Sequence, residues 1–120
     1  PVHFIPEEMA GLTIHQFIDA LNQEGIRARK NYYPLLHTLP LFADGFDIFT
    51  RGRGPLCTSE MGGDYQGYKA GDFPVAEEVC SRLFFLPLLS DPVDGEVHRT
   101  IGAIGRVANH AKELAAQTAT

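Results

Sequence analysis

The sequence predicts a small α/β domain of the α+β type, with two layers in which a small sheet carries helices mainly on one face. Three observations support this fold class. The length of 120 residues suits one domain. Short apolar runs alternate with stretches whose apolar residues recur at helical spacing. Hydrophobic residues make up 44% and charged residues 21%, a composition that is typical of a chain with a packed core.

A strand, a helix and a second strand are predicted first. Residues 2–5 are apolar and partly β-branched, which favours a strand. Thr13 and Gln16 have the spacing of a capping box, and apolar residues at helical spacing follow them, which predicts a helix over about 14–24. Residues 26–30 then alternate in polarity, which predicts a strand with one basic face.

A long loop separates these elements from the next helix and strand. Residues 43–71 are rich in Gly, and a loop of this length inside a compact domain is usually functional or disordered. Asp72 is a good N-cap, and Pro74 suits the first turn of a helix over about 73–82. Residues 83–86 are all apolar, which predicts a buried strand. The apolar positions of the predicted helix are Val75, Val79 and Leu83.

The last predicted element is a helix whose N-terminus Ser90 and Asp91 are expected to cap. The sequence predicts that one apolar stripe of this helix faces the core. The stripe consists of Val93, Val97, Ile101, Ile104 and Ala108. The domain is expected to span residues 1–114, and residues 115–120 are expected to fray.

Composition excludes several classes of function. The net charge of -5 disfavours nucleic acid as a partner, because such binding depends on clustered Lys and Arg. No apolar run is long enough to span a membrane. Two cysteines and five histidines give neither a disulfide framework nor a zinc-binding spacing, so no metal site is predicted. Cys80 is expected to be a buried thiol. Without a visible signal peptide, the expected location is the cytoplasm.

Two groups of residues are candidates for ligand binding. Tyr32, Tyr33 and His37 directly follow a predicted strand, a position where loops often carry function. The alternative is a packed turn with a structural histidine. The basic residues of 27–30, together with Arg51 and Arg53 of the loop, can form a site for an anionic small ligand, or those of 27–30 can be a solvated strand face. Both alternatives stay open for both groups.

Several motifs together resemble one enzyme family. Residues 25–40 read GIRARKNYYPLLHTLP and resemble the segment G-I-x-x-R-x-Y-Y-P-P-L-H-x-x-P of the DegT/DnrJ/EryC1/StrS aminotransferases. Residues 68–78 are similar to the family's Y-x-x-G-D-F-P-V-A-E-E. Residues 86–88 and 90–97 resemble the family's S-L-P-L and S-D-E-E-V. The resemblance covers about residues 2–108, with its blocks in the family's order.

These relatives are pyridoxal-phosphate (PLP) enzymes of fold type I, and most of them make amino sugars on nucleotides. The resemblance implies that the chain is the C-terminal small domain of an aminotransferase that acts on a nucleotide-linked keto sugar as a homodimer. PLP would then belong to an N-terminal large domain. Lys30, Lys69 and Lys112 lie in no motif like the family's Schiff-base lysine, so we expect no catalytic residue, bound cofactor or transamination in this chain alone. The start on a predicted strand before Met9 also favours an origin in a longer protein.

By position in the family's motif, four residues are the candidates for facing the substrate pocket. These substrate-binding candidates are Tyr32, Tyr33, His37 and Arg29. Tyr can stack and hydrogen-bond, His can donate to a phosphate or hydroxyl oxygen, and Arg can add positive charge. The motif can instead serve packing. The loop over 43–67 diverges from the family, so the sugar is not indicated. The alternative function is a free-standing module, derived from this domain, that binds a small ligand or regulates.

Overall fold

The computed structural model describes residues 1–43, 67–91 and 93–117. The chain divides into two compact units, which are here called the sheet unit (Pro1–Asn31 and Ser81–Thr120) and the inserted unit (Tyr32–Cys80). The regular elements are β1 Val2–His3, α1 Ile14–Gln23, β2 Arg29–Lys30, α2 Pro40–Ala43, α3 Pro74–Ser81, β3 Leu83–Phe85, α4 Glu96–Asn109 and α5 Ala111–Gln117, with 3-10 turns at Pro6–Glu8 and Leu36–Thr38.

The sheet unit confirms the predicted α+β class. Its three strands form an antiparallel sheet in the order β1-β3-β2, so β3 lies in the centre. Val2 lies opposite Phe84, and Arg29 lies opposite Phe85. The predicted strands over 2–5 and 26–30 shorten to two residues each. Phe4 nevertheless continues the pairing, because its N–H donates to the Arg82 carbonyl at 2.8 Å.

α1 begins and ends where the sequence predicts, within one residue. The Thr13 side chain accepts from the Gln16 N–H, and the Gln16 side chain accepts from the Thr13 N–H, which completes the capping box. After the last turn, Gly25 takes a φ of 83°, a conformation that costs Gly little. The Ile26 N–H then donates back to the Leu21 carbonyl at 2.9 Å, and Ile26 is buried.

The core of the sheet unit lies between β3 and the helices. Phe84 is 2% exposed and meets the Phe17 ring edge-on at 5.7 Å between ring centroids. The ring centroids of Phe4 and Phe17 are 5.4 Å apart. α1 also packs against α4 and α5, which contribute Val107 and Ala111 to the same cluster. The strand predicted over residues 83–86 is confirmed at Leu83–Phe85, but its burial is only partial, because Phe84 is buried and its neighbours are half-buried.

The predicted apolar stripe of the last helix is confirmed only in its second half, where Ile104 and Ala108 pack against the core. Val97 and Ile101 are exposed, and Ile101 keeps 63% of its surface. The buried face carries Thr100, Ala103 and Val107 instead. Thr100 tolerates burial because its hydroxyl donates to the Glu96 carbonyl at 3.0 Å.

Both ends of the last helical region differ from the prediction. α4 begins at Glu96 and not after Ser90 or Asp91, because Gly95 occupies the cap position with a φ of 82°. The helical region then breaks at His110 and continues as α5 to Gln117. Residues 115–117 are therefore helical and not frayed, since Leu114 and Ala115 pack against the core. Residues 118–120 lie outside the described residues.

The described part of the inserted unit contains α2, most of α3 and a 3-10 turn. Tyr68 N–H donates to the Phe42 carbonyl at 3.2 Å, and a Cβ on Gly67 would clash with the Ala43 carbonyl oxygen. Gly67 therefore permits this close approach of two backbones. None of the side chains of α3 is fully buried, and Cys80 is half-buried rather than buried. Residues 44–66 of the predicted loop lie outside the described residues.

In the part of the chain that the structure describes, no helix is both long and apolar enough to cross a membrane.

Candidate functional site

His37 and Glu77 form the centre of the inserted unit's candidate site. His37 lies in the 3-10 turn Leu36–Thr38, and Glu77 lies on α3. The His37 Nε2 atom is 2.8 Å from Glu77 Oε1. The Gly71 N–H donates to the same oxygen at 2.7 Å. His37 is 8% exposed, so its ring is held inside the unit by this arrangement.

A tight turn before α3 directs the Gly71 N–H at Glu77. The Asp72 carboxylate accepts from the Lys69 N–H at 2.9 Å, while the Asp72 N–H donates to the Lys69 carbonyl at 3.2 Å. Gly71 takes a φ of 96°, which a side chain would disfavour. The prediction that Asp72 is the N-cap is wrong, because its carboxylate belongs to this turn and the helix begins at Pro74. The position of Pro74 in the first turn is confirmed.

One aromatic ring adjoins the buried histidine, and a second packs on the first. The Phe73 ring lies 4.9 Å from the His37 ring between centroids. Tyr68 meets Phe73 edge-on at 5.4 Å. The histidine is thus held by a polar contact at Nε2 and by an aromatic contact with its ring.

The Glu77 carboxylate stays charged at neutral pH. The N–H of Gly71 and, next, the hydrogen bond with His37 lower the pKa of Glu77 below its ordinary value, and partial burial opposes them only in part. An ionised carboxylate only accepts hydrogen bonds, so His37 Nε2 is the donor in this contact. In the neutral ring Nδ1 is then the acceptor, so Glu77 selects one tautomer of His37.

Tyr32 and Tyr33 form a stacked pair at the start of the inserted unit. Their ring centroids are 4.4 Å apart, with 30° between the planes. The Tyr32 hydroxyl donates to the Tyr33 hydroxyl at 3.1 Å. The two residues are 59% and 60% exposed. Neighbouring side chains in an extended chain usually point in opposite directions, whereas these two stack on each other. The stacked pair forms an exposed aromatic surface with two hydroxyl groups at one edge.

The alternation predicted for residues 26–30 is seen in their burial, because Ile26 and Ala28 are buried whereas Arg27 and Arg29 are exposed. The Arg29 guanidinium is 5.9 Å from the centroid of the half-buried Phe85 ring. Lys30 Nζ lies 3.3 Å from His15 Nε2, over α1. Arg51 and Arg53, which are cations of the predicted loop, lie outside the described residues, as does Cys57.

The structure thus brings together parts of the two motif blocks in one unit. His37 comes from the first block, and Gly71, Phe73 and Glu77 come from the second. Sequence reasoning missed Glu77, because two successive glutamates on a helix are more typical of a solvated face. Its only signal was its place in the second block. Substrate contact by Tyr32, Tyr33, His37 and Arg29 stays a prediction.

Among residues 1–43, 67–91 and 93–117, no cluster of three His, Cys, Asp or Glu side chains has the arrangement of a metal site. Comparison of the chain with protein-family models, with curated proteins and with solved structures gives no match.

Proposed function

We propose that the chain is the small domain of a PLP-dependent aminotransferase of the DegT/DnrJ/EryC1/StrS family that acts on a nucleotide-linked keto sugar. One observation carries the proposal. Residues that match the family in two separate blocks share a single carboxylate oxygen, since His37 and Gly71 both bind Glu77 Oε1. Two chance matches would have no reason to meet in space. This contact supports reading the blocks as one motif.

The same contact distinguishes a buried residue of the motif, His37, from two exposed ones, Tyr32 and Tyr33. His37 is buried and bound to α3, so its role is to position the segment that precedes it. Tyr32 and Tyr33 are exposed and are the candidates to touch the substrate. A nucleobase or sugar ring can stack on their rings, and their hydroxyl groups can hydrogen-bond to sugar oxygens.

In the proposal, this chain does not form a PLP site by itself. A Schiff-base lysine must reach into an enclosed site that keeps water away from the reacting atoms. Lys30, Lys69 and Lys112 are all exposed. In the proposal, PLP is bound by a large domain, and two copies of the whole enzyme form a homodimer. The role of this chain is to bind and orient the substrate.

The size of the native gene product tests the proposal. Intact mass and sequencing of the protein from its source cells should show a longer polypeptide with a lysine motif for PLP. A native product of only these 120 residues would overturn the proposal and favour the free-standing ligand-binding module. As a second test, incubation of the chain with PLP and borohydride should give no stoichiometric lysine adduct. A full yield of adduct would contradict the proposal that PLP is bound by a large domain and not by this chain.

The tyrosine pair gives a test at the level of single residues. In the full-length enzyme, we expect Tyr33→Ala to raise KM for the nucleotide sugar about tenfold, since one stacking contact is worth roughly 1–3 kcal/mol. Tyr33→Phe is the matched control, because it keeps the ring and removes only the hydroxyl. An unchanged KM in Tyr33→Ala would remove the pair from the substrate site.

A further inference from the structure

The sheet unit contains a cavity of about 410 Å³ that the candidate site does not use. The turn after α1, the segment that follows β3 and the first turns of α4 form its walls. Its volume lies within the range of about 300 to 1,000 Å³ that is typical of sites for small molecules.

Two arginines line this cavity without a protein partner. Arg27 comes from the turn after α1, and Arg99 comes from α4. Within the described part of the chain, neither guanidinium makes a hydrogen bond or an ion pair. The chain has 15 acidic and 10 basic side chains, so acidic partners are not scarce. Arg27 and Arg99 are both exposed, so their guanidinium groups are accessible to an anionic ligand in this cavity.

The one acidic residue in the cavity wall has another partner. The Glu96 carboxylate accepts from the Val93 N–H at 3.3 Å, at the start of α4. The Thr100 hydroxyl, which also belongs to the wall, donates to the Glu96 carbonyl. The Glu96 carboxylate and the Thr100 hydroxyl thus each have a partner, whereas the ten N–H donors of the two guanidinium groups have none among the described residues.

Much of the remaining cavity lining is apolar. It consists of the segment Pro87–Leu89 together with Ile26. Leu88 is 92% exposed, so its side chain is accessible to the apolar part of a ligand. A ligand with an anionic group at one end and an apolar part at the other would match both kinds of lining residue.

We propose that this cavity is a binding site for a small organic phosphate. The phosphate oxygens lie on the guanidinium groups of Arg27 and Arg99, and the apolar part of the ligand covers Pro87 and Leu88. Phosphate fits better than a carboxylate, because it carries up to two negative charges and has three oxygens for two planar donor forks. This site does not depend on the proposed aminotransferase function, since it uses neither Tyr32 nor Tyr33.

Calorimetry with the 120-residue chain and phenyl phosphate tests the site. We expect binding that weakens as salt is added. Arg27→Gln and Arg99→Gln should each reduce the affinity at least about tenfold, the size of one charge-assisted contact. Lys112→Gln is the matched control, because it removes one charge from an exposed, unpaired residue of α5 outside the cavity, and it should bind as the wild type does. Circular dichroism of each variant checks that the fold is kept.

One further variant and one further ligand test the apolar part and the phosphate group of the ligand separately. Leu88→Ser should weaken phenyl phosphate and leave inorganic phosphate unchanged. Benzoate should bind more weakly than phenyl phosphate. Three results would overturn the proposal: no binding of phenyl phosphate, equal losses in the arginine variants and in Lys112→Gln, or benzoate binding as tightly as phenyl phosphate.

Discussion

The His37 ring and the Glu77 carboxylate meet at 2.8 Å although 40 residues separate them in the chain. Since Gly71 binds the same carboxylate oxygen, this single side chain links a 3-10 turn, a glycine turn and a helix. The link is charged on the Glu77 side, so the stability of the inserted unit should depend on pH.

Replacement of Glu77 should make this pH dependence visible. The pKa of Glu77 is lower in the folded chain than in the unfolded one, because the Gly71 N–H and His37 stabilise its charged form. Its contribution is therefore complete above the ordinary carboxyl pKa and is lost as pH falls through the folded value. Urea unfolding should show the largest difference between wild type and Glu77→Gln at neutral pH, and this difference should shrink as pH falls through the lowered pKa of Glu77.

Glu8→Gln is the control for the Glu77 experiment, since Glu8 is exposed. It should change stability little at any pH. A difference between wild type and Glu77→Gln that stays constant from neutral to acidic pH would mean that the charge of Glu77 is not what stabilises the turn.

The two successive phenylalanines of β3 should differ in their effect on stability. Phe84 is in the core and contacts Phe17, whereas Phe85 is half-buried. We expect Phe84→Ala to lower the free energy of unfolding by about 3–5 kcal/mol. Phe85→Ala should lower it by less than half as much. Chemical denaturation of the two variants measures this difference, and equal losses would contradict the observed registry of the strand.

The capping box of α1 should contribute measurably to stability. Thr13→Ala removes the side-chain oxygen that accepts from the Gln16 N–H. We expect a loss of about 0.5–2 kcal/mol in the free energy of unfolding. Thr13→Ser keeps the hydroxyl and should retain most of the stability. If the alanine and serine variants unfold at the same denaturant concentration, the hydrogen bond is not what stabilises this end of the helix.

Truncation of a side chain should affect the stability of the protein differently on the two faces of α4. Val107 is 4% exposed and Ile101 is 63% exposed. Val107→Ala should cost about 1–3 kcal/mol, since it removes buried methyl groups, and Ile101→Ala should cost less than about 1 kcal/mol. Thermal unfolding compares them directly. A larger loss in Ile101→Ala would show that the apolar face predicted from the sequence is covered in solution.

The elements that the sequence predicts best are those in which local signals agree. α1 has a capping box, apolar residues at helical spacing and a glycine after its last turn, and each of them acts in the structure. α4 shows why the same reasoning fails elsewhere. Thr100, Ala103 and Val107 also recur at helical spacing, but Thr and Ala give a weak hydrophobic signal beside Val97 and Ile101. Packing selects the small residues, which let α4 approach α1 closely.

The candidate site was predictable only in part. The sequence indicates that Tyr32, Tyr33 and His37 belong together, but not that the tyrosines stack while the histidine is buried. The buried position of His37 involves Glu77, which lies 40 residues along the chain and is also bound by the Gly71 N–H. No local pattern shows such a contact. The same holds for Arg27 and Arg99, which share a cavity although they come from separate elements.

The order of the strands also determines when the sheet can form. The central strand β3 is the last of the three in the chain, and β1 and β2 each pair only with it. During synthesis, β1 and β2 therefore cannot pair with β3 until residues 83–85 have left the ribosome. The inserted unit is continuous in the chain and needs no such delay. Because distant contacts close long loops, sheet formation is expected to be the slow step in folding.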